Sequence, residues 1–167
     1  MKELPKRKKI RLPHAAYCDG QVFFITIGTY ERYPWFHLYP ELTGMSMQLL
    51  REIAVSRRSK LYAWCFMPDH VHLLLQDTDV LEFVRLFKGK LAPAGSTFEP
   101  ARRLWQRSFY DKGLRKEDSL EKVALYIWEN PVRAGTVKSA ADYAWIGSGF
   151  WPDWKEYLEG DKPNGRG

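Results

Sequence analysis

Apolar residues recur along this chain in two rhythms, one suited to strands and one to helices. Gln21 to Gly28 (QVFFITIG) is rich in β-branched and aromatic residues and predicts a first strand. From Pro40 the apolar positions Leu42, Met45, Leu49 and Ile53 fall at helical spacing, with the proline suited to a first turn and a polar exit at Arg57-Arg58-Ser59. Leu61 to Met67 and His70 to Gln76 are two more strands joined only by Pro68-Asp69, which predicts an antiparallel hairpin. Asp77, Thr78 or Asp79 can cap a second helix whose apolar stripe is Val80, Val84, Phe87 and Leu91.

Pro93 to Pro100 (PAGSTFEP) has the composition of a loop, and Leu104 to Tyr110 predicts a fourth strand that Asp111 to Gly113 ends. The order β-α-β-β-α-β is that of an α+β, ferredoxin-like domain, with both helices on one face of an antiparallel sheet and the other face left free for a site. A last helix starts near Asp118, with Glu121 completing a capping box, and buries Leu120, Val123, Ala124 and Ile127. Pro131 pushes Asn130 away from helical angles and ends it. Tyr126 falls off the buried stripe, with Lys122 one turn before it and Asn130 one turn after, so the three share an exposed edge. These elements divide the chain into a basic arm (1–19), one globular domain (20–148) and a tail (149–167).

Composition narrows the class. A chain of 167 residues, 45% hydrophobic, suits one domain with a substantial core. It is too short for an eight-stranded α/β barrel of about 250 residues. Cys18 and Cys65 make neither a disulfide framework nor a zinc cluster, and Cys65, in an apolar run, reads as a reduced core thiol. No apolar stretch approaches the ~20 residues of a membrane span. No signal-peptide pattern is found at the start, so a cytoplasmic protein without a membrane partner is expected.

The net charge of +6 favours an anionic partner, and six cations among the first eleven residues, Lys8 and Arg11 included, face only Glu3. Such an arm suits nucleic acid and equally suits a solvated leader. In Arg103-Leu104-Trp105-Gln106-Arg107-Ser108-Phe109-Tyr110, cations alternate with rings on which bases can stack, although core packing accounts for at least one of Trp105 and Phe109. Arg85 and Lys88 on the second helix can line a groove for DNA or simply be solvated.

His70 and His72 lie two apart on a strand, so both imidazoles share one face while Val71, Leu73 and Leu75 take the other. Two convergent imidazoles can hold a divalent metal if a third ligand arrives from elsewhere, and they can also be plain residues of an open sheet face. A histidine-triad hydrolase would need another histidine at position 74, which is leucine.

Three segments together carry a resemblance. Met67-Pro68-Asp69-His70-Val71-His72-Leu73-Leu74, Trp105-Gln106-Arg107-Ser108-Phe109-Tyr110-Asp111 and Tyr126-Ile127-Trp128-Glu129-Asn130-Pro131-Val132-Arg133-Ala134-Gly135 resemble the single-tyrosine HUH transposases, and most closely the REP-associated tyrosine transposases. The resemblance runs from about position 20 to 148. It implies a metal-dependent endonuclease and strand transferase acting on single-stranded DNA beside hairpin repeats, as a monomer or homodimer. Tyr126 would be the nucleophile, forming a 5′-phosphotyrosine, with His70, His72 and Asn130 as ligands of Mg²⁺ or Mn²⁺. Lys122 would lower the cost of the tyrosinate or meet the phosphate, and Arg85, Lys88, Trp105, Arg107, Lys8 and Arg11 are the DNA-binding candidates. Asp69 stands where asparagine is usual, and Trp128-Glu129 where smaller or more neutral residues are. The competing reading is a non-catalytic DNA- or RNA-hairpin-binding module on the same fold.

Overall fold

The computed structural model describes residues 14–17 and 20–159. Five strands, β1 (Val22–Gly28), β2 (Lys60–Met67), β3 (His70–Gln76), β4 (Tyr110–Gly113) and β5 (Ile146–Gly147), form one antiparallel sheet in the order β4-β1-β3-β2-β5. The short α1 (Trp35–Leu38) and the long α2 (Pro40–Arg57) connect β1 to β2, and α3 (Val80–Phe98) follows β3. Between β4 and β5 lie α4 (Leu120–Trp128) and α5 (Asn130–Arg133), and α6 (Trp154–Glu159) follows β5. The first four strands with α2 and α3 are the expected ferredoxin-like arrangement, to which β5 adds an edge beside β2. No helix among the described residues is long and apolar enough to cross a membrane.

Alternation along the central strands fixes two faces. Phe23, Ile25 and Ile27 of β1 and Val71, Leu73 and Leu75 of β3 point toward α2 and α3 and enter the larger core with Val80, Val84, Phe87 and Leu91. All four residues of the predicted α3 stripe are buried there, and the Asp79 carboxylate caps the helix by accepting from the Glu82 amide at 3.1 Å. On α2 the buried face is rotated from the expected one: Met45 is exposed, while Thr43 and Ser46 are buried. Their hydroxyls donate to the Phe36 and Leu42 carbonyls at 2.8 and 2.6 Å, which removes the cost of burying them.

Two local expectations fail for tertiary reasons. The predicted loop at Pro93–Pro100 is mostly the end of α3, which runs through Pro93 to Phe98. Proline there removes one helical hydrogen bond, but Leu91 and Gly95 are buried on either side, and a Cβ at Gly95 would stand 3.3 Å from Leu104. Packing outweighs the local break. The helix then stops at Glu99, whose carboxylate accepts from Tyr33, Tyr39 and Arg102.

The fourth strand is displaced in the same way. Trp105 forms an isolated bridge with Thr29, and the ladder with β1 resumes only at Tyr110 opposite Thr26, five steps on one strand against three on the other. The two extra residues bulge outward, and Asp111 to Gly113, expected as the breaker, are the strand itself.

The second face of the sheet is not free. A β-bulge near Tyr62 turns Tyr62, Ala63, Cys65 and Met67 of β2 toward it, and α4 lies across them with Ala124, Ile127 and Trp128 fully buried. Trp128 is the anchor. Its indole N–H donates to the Gly147 carbonyl at 2.9 Å, and its ring meets Trp151, Trp154 and Tyr157 at 6.2, 5.4 and 6.2 Å between centroids. A Cβ at Gly147 would overlap the Trp64 indole, so only glycine lets β5 approach this closely.

Candidate functional site

Register places the histidines in a defined row. Thr26 of β1 and Cys65 of β2 flank His72, and beyond Thr26 the row continues to Tyr110 of β4. His70 stands between Gly28 and Met67. Both imidazoles therefore project from the α4 side of the sheet, as the H-x-H spacing predicts, and their rings meet edge to face with centroids 4.6 Å apart.

The two Nε2 atoms are 3.1 Å from each other, while each Nδ1 turns outward to a fixed partner: Asp69 Oδ1 at 2.6 Å for His70 and Thr26 Oγ1 at 2.9 Å for His72. With the carboxylate accepting from Nδ1 of His70, its Nε2 carries a lone pair. The Thr26 hydroxyl can accept from Nδ1 of His72, and in that tautomer both lone pairs converge on one point. Two nitrogen ligands at ~2.1 Å, placed cis on an octahedral ion, stand about 3.0 Å apart. The pair thus fits two ligands of a divalent cation, with Asp69 and Thr26 as the orienting outer groups.

Electrostatics favour the neutral ring. Burial pushes His72 down to about 3, with the neighbouring His70 and Arg133 adding to it, so His72 is uncharged at neutral pH. Burial alone would push the Asp69 carboxyl up, but the His70 and Arg32 partners outweigh that and hold it below the usual range. The Arg32 Nε donates to Asp69 Oδ2 at 3.0 Å, which ties this turn to the segment after β1.

No group of three His, Cys, Asp or Glu side chains suited to a metal is present among the described residues. A third ligand drawn from the described residues would therefore be of another type. Asn130 is half-buried at the α4–α5 junction, and no hydrogen bond joins it to either imidazole, whose partners are Asp69, Thr26 and each other. It is helical rather than extended. The chain breaks at Glu129 instead, and Pro131 sits in the first turn of α5, where its missing N–H costs nothing.

Tyr126 lies on the open side of α4. Its residue is 55% exposed, its ring stands 6.4 Å from Phe24, and Phe24 in turn stands 5.4 Å from His72. Beside it runs a groove of about 540 Å³ lined by Phe24, Tyr110, Lys112, Lys122 and Tyr126, with Glu117 and Asp118 at the side. Ser119, not Asp118, caps α4: its hydroxyl accepts from the Lys122 amide at 3.3 Å, while Asp118 accepts from the Arg115 amide at 2.7 Å. This start puts Lys122 in the first turn, facing the groove.

The structure disperses the other candidates. Trp105 is buried between Phe36 and Phe87 and donates to the Lys88 carbonyl at 3.1 Å, so its ring has no open face for a base; Phe109 is likewise in the core. Arg85 is held bidentately by Glu82 at 2.6 Å on the surface of α3. The Lys88 ammonium donates to the Gln106 carbonyl at 2.8 Å, and Arg107 is exposed on the bulge before β4. Lys8 and Arg11 lie outside the described residues, as does Cys18. Cys65 is buried as expected, and burial pushes its thiol up to about 12.

Sequence reasoning passed over three groove residues. Phe24 and Lys112 are cross-strand partners, and Tyr110 lies two residues before Lys112 on the same face, opposite Thr26. They could have been found only from the β1–β4 register, which the bulge after Trp105 hides. Arg133 was also missed: its guanidinium carbon lies 3.7 Å from the centre of the Tyr126 ring.

Comparison with known proteins places the chain in a family. The family described as "Transposase IS200 like" matches residues 24–130, which hold both histidines, Tyr126 and Asn130. The chain is 24% identical over 153 residues to the REP-associated tyrosine transposase of Escherichia coli (strain K12), covering 83% of this chain and 87% of that protein. It is 32% identical over 107 residues to a REP-associated tyrosine transposase of Haemophilus influenzae, covering 56% and 60%. A solved structure of a REP-associated tyrosine transposase bound to a REP hairpin superposes with a TM-score of 0.64 at 20% identity, over 87% of this chain and 82% of that one, a likeness of fold.

Proposed function

Since the chain belongs to the IS200-like transposase family, we propose that it cleaves and rejoins single-stranded DNA beside a hairpin repeat, with Tyr126 as nucleophile. One observation carries the reading: α4 docks on the face of the sheet that bears His70 and His72, and brings Tyr126 to a groove whose wall includes Phe24, the ring that meets His72.

The chemistry needs no external energy source. The Tyr126 phenol gives up its proton and its Oη forms a bond to phosphorus; the bond from phosphorus to the 3′ oxygen breaks, and that oxygen leaves as a 3′-hydroxyl after taking a proton. The 5′ side of the strand stays bound as a phosphotyrosine. A second 3′-hydroxyl reverses the step and rejoins DNA. His70, His72 and Asn130 would hold the divalent cation, Mg²⁺ or Mn²⁺, which when bound polarises a non-bridging phosphate oxygen.

The rest of the work falls to side chains of the groove. Asp69 and Thr26 keep the two imidazoles turned inward. Lys112 and Lys122 offer charge to the phosphate backbone, while Phe24 and Tyr110 offer ring faces to unstacked bases. A hairpin partner suits the REP-hairpin-bound relative and the positive charge of the chain.

The test uses hairpin oligonucleotides from the flanking repeats of the encoding locus, with Mg²⁺ or Mn²⁺, and looks for a covalent protein–DNA adduct on a denaturing gel. The adduct is expected with the wild type and absent in Tyr126→Phe. An adduct that survives that substitution removes Tyr126 from its role. Tight hairpin binding with no adduct under either metal favours the non-catalytic binding module.

A further inference from the structure

Arg133 lies three residues past the end of the family match, on the exposed side of α5, and its contacts are unusual for a surface arginine. Its guanidinium carbon lies over the Tyr126 ring, 3.7 Å from the centroid, and its Nη2 donates to the Tyr126 carbonyl at 2.5 Å. Seven residues of straight helix would separate the two by about 10 Å along the axis. The break at Glu129 and the backward lean of helical side chains close that gap. The Tyr126 carbonyl lies in the last turn of α4, where carbonyls run short of backbone donors, so Arg133 also acts as a cap for that turn.

Two features separate this contact from ordinary surface packing. Among the described residues no carboxylate pairs with Arg133, in contrast to Arg32, Arg57, Arg85 and Arg102. The ring it covers also stands 6.4 Å from Phe24, which in turn stands 5.4 Å from His72, so the contact lies one side chain away from the strand that bears the histidines. A cation on this ring stands beside the link between the tyrosine and the histidines. Lys122 approaches Tyr126 only by lining the same groove.

We propose that Arg133 is the positioning residue for Tyr126: its guanidinium clamps the phenol ring from the face, and its remaining N–H groups are free to take a non-bridging oxygen of the phosphate that Tyr126 attacks. The proposal rests on the strand-transfer reading above. A planar fork is required for both tasks at once, because an ammonium group neither stacks on a ring face in this way nor offers two parallel donors.

The experiment measures single-turnover adduct formation at saturating hairpin DNA for the wild type, Arg133→Gln and Arg133→Lys, together with the fluorine NMR signal of 3-fluorotyrosine placed at position 126 in DNA-free protein. Arg133→Gln is expected to slow adduct formation by about 100-fold, as for a misplaced reacting group, with the half-saturating DNA concentration unchanged. Arg133→Lys is expected to recover only part of the rate, and the fluorine signal to move in both variants. A wild-type rate in Arg133→Gln, an effect confined to half-saturation, or an unmoved fluorine signal overturns the proposal. A wild type that forms no adduct overturns the strand-transfer reading and this one with it; a wild-type adduct with an unchanged Arg133→Gln rate overturns this one alone.

Discussion

Beneath α2 and α3, Phe23, Ile25, Ile27, Val71, Leu73 and Leu75 have no exposed surface, whereas across the same backbone Val22, Phe24, Thr26, His70 and His72 stay partly open. Two long helices close the first face. On the second, α4 spans nine residues and buries three of them completely, so it covers β2 and part of β3 and stops before β4. The groove is the uncovered remainder. A face sealed by helices can only be a core, while a face covered halfway supplies both a dry wall for polar groups and an entry for a substrate.

The sharpest way to break this contrast is to cut adjacent residues of β3 that point in opposite directions. His70→Ala with His72→Ala should lower adduct formation by about 10³-fold, the loss of several kcal/mol of phosphate polarisation, and leave thermal stability nearly unchanged. Leu73→Ala should do the reverse, costing about 2–5 kcal/mol of stability without touching the groove. Parallel urea unfolding and adduct assays decide it. Equal losses of stability in both would show that the histidines belong to the fold rather than to the site.

Trp128→Ala tests what holds the half-cover in place. The ring is fully buried among Trp151, Trp154 and Tyr157, so a loss of about 3–5 kcal/mol is expected, and with it a faster exchange of the α4 amides in hydrogen exchange. Core amides of β1 under α2 and α3 should keep their protection. Loss of protection on both faces together would mean that the two faces do not behave as separate layers.

Asp69 links the two regions through the turn that joins β2 to β3. Asp69→Ala should weaken Mn²⁺ binding by about 10- to 100-fold, the usual effect of removing the partner of a metal-binding histidine, as read by calorimetry. Asp69→Asn should retain most of the affinity because its amide oxygen still accepts from Nδ1 of His70. An alanine variant that binds metal like the wild type would confine Asp69 to its ion pair with Arg32.

How much of this was legible follows the same division. The hairpin at Pro68-Asp69, the α3 stripe and the shared face of His70 and His72 depend on period and spacing alone, and they hold. What failed depends on contacts made at long range. Pro93 stays helical because Leu91 and Gly95 are packed, and Trp128 is an anchor because a later segment folds over it. The reach of Arg133 back to Tyr126 needs a helix break that Pro131 announces but places one residue away from where the sequence puts it. A site built from register and from a second helical layer is visible in sequence only at its most regular part, the strand.

The smallest expected effect concerns an ion pair that belongs wholly to the closed side. Asp77, 4% exposed, receives Arg57 at 3.0 and 2.6 Å, the Asp79 amide at 2.7 Å and the Ser59 hydroxyl, and so joins the end of α2 to the start of α3. Burial alone would raise its carboxyl, but the Arg57, Ser59 and Asp79 donors outweigh it and hold it below 3.8. The unfolded chain therefore takes up this proton before the native one does. The stabilisation is complete above the unfolded value and is lost as pH falls through the lower native value, by at most about 1.4 kcal/mol per pH unit for one proton. Urea midpoints measured from pH 5 to pH 3 should fall more steeply for the wild type than for Asp77→Asn, which starts lower and cannot titrate. If the two slopes coincide, the acid sensitivity of the fold resides elsewhere, and the closed face owes its stability to apolar packing alone.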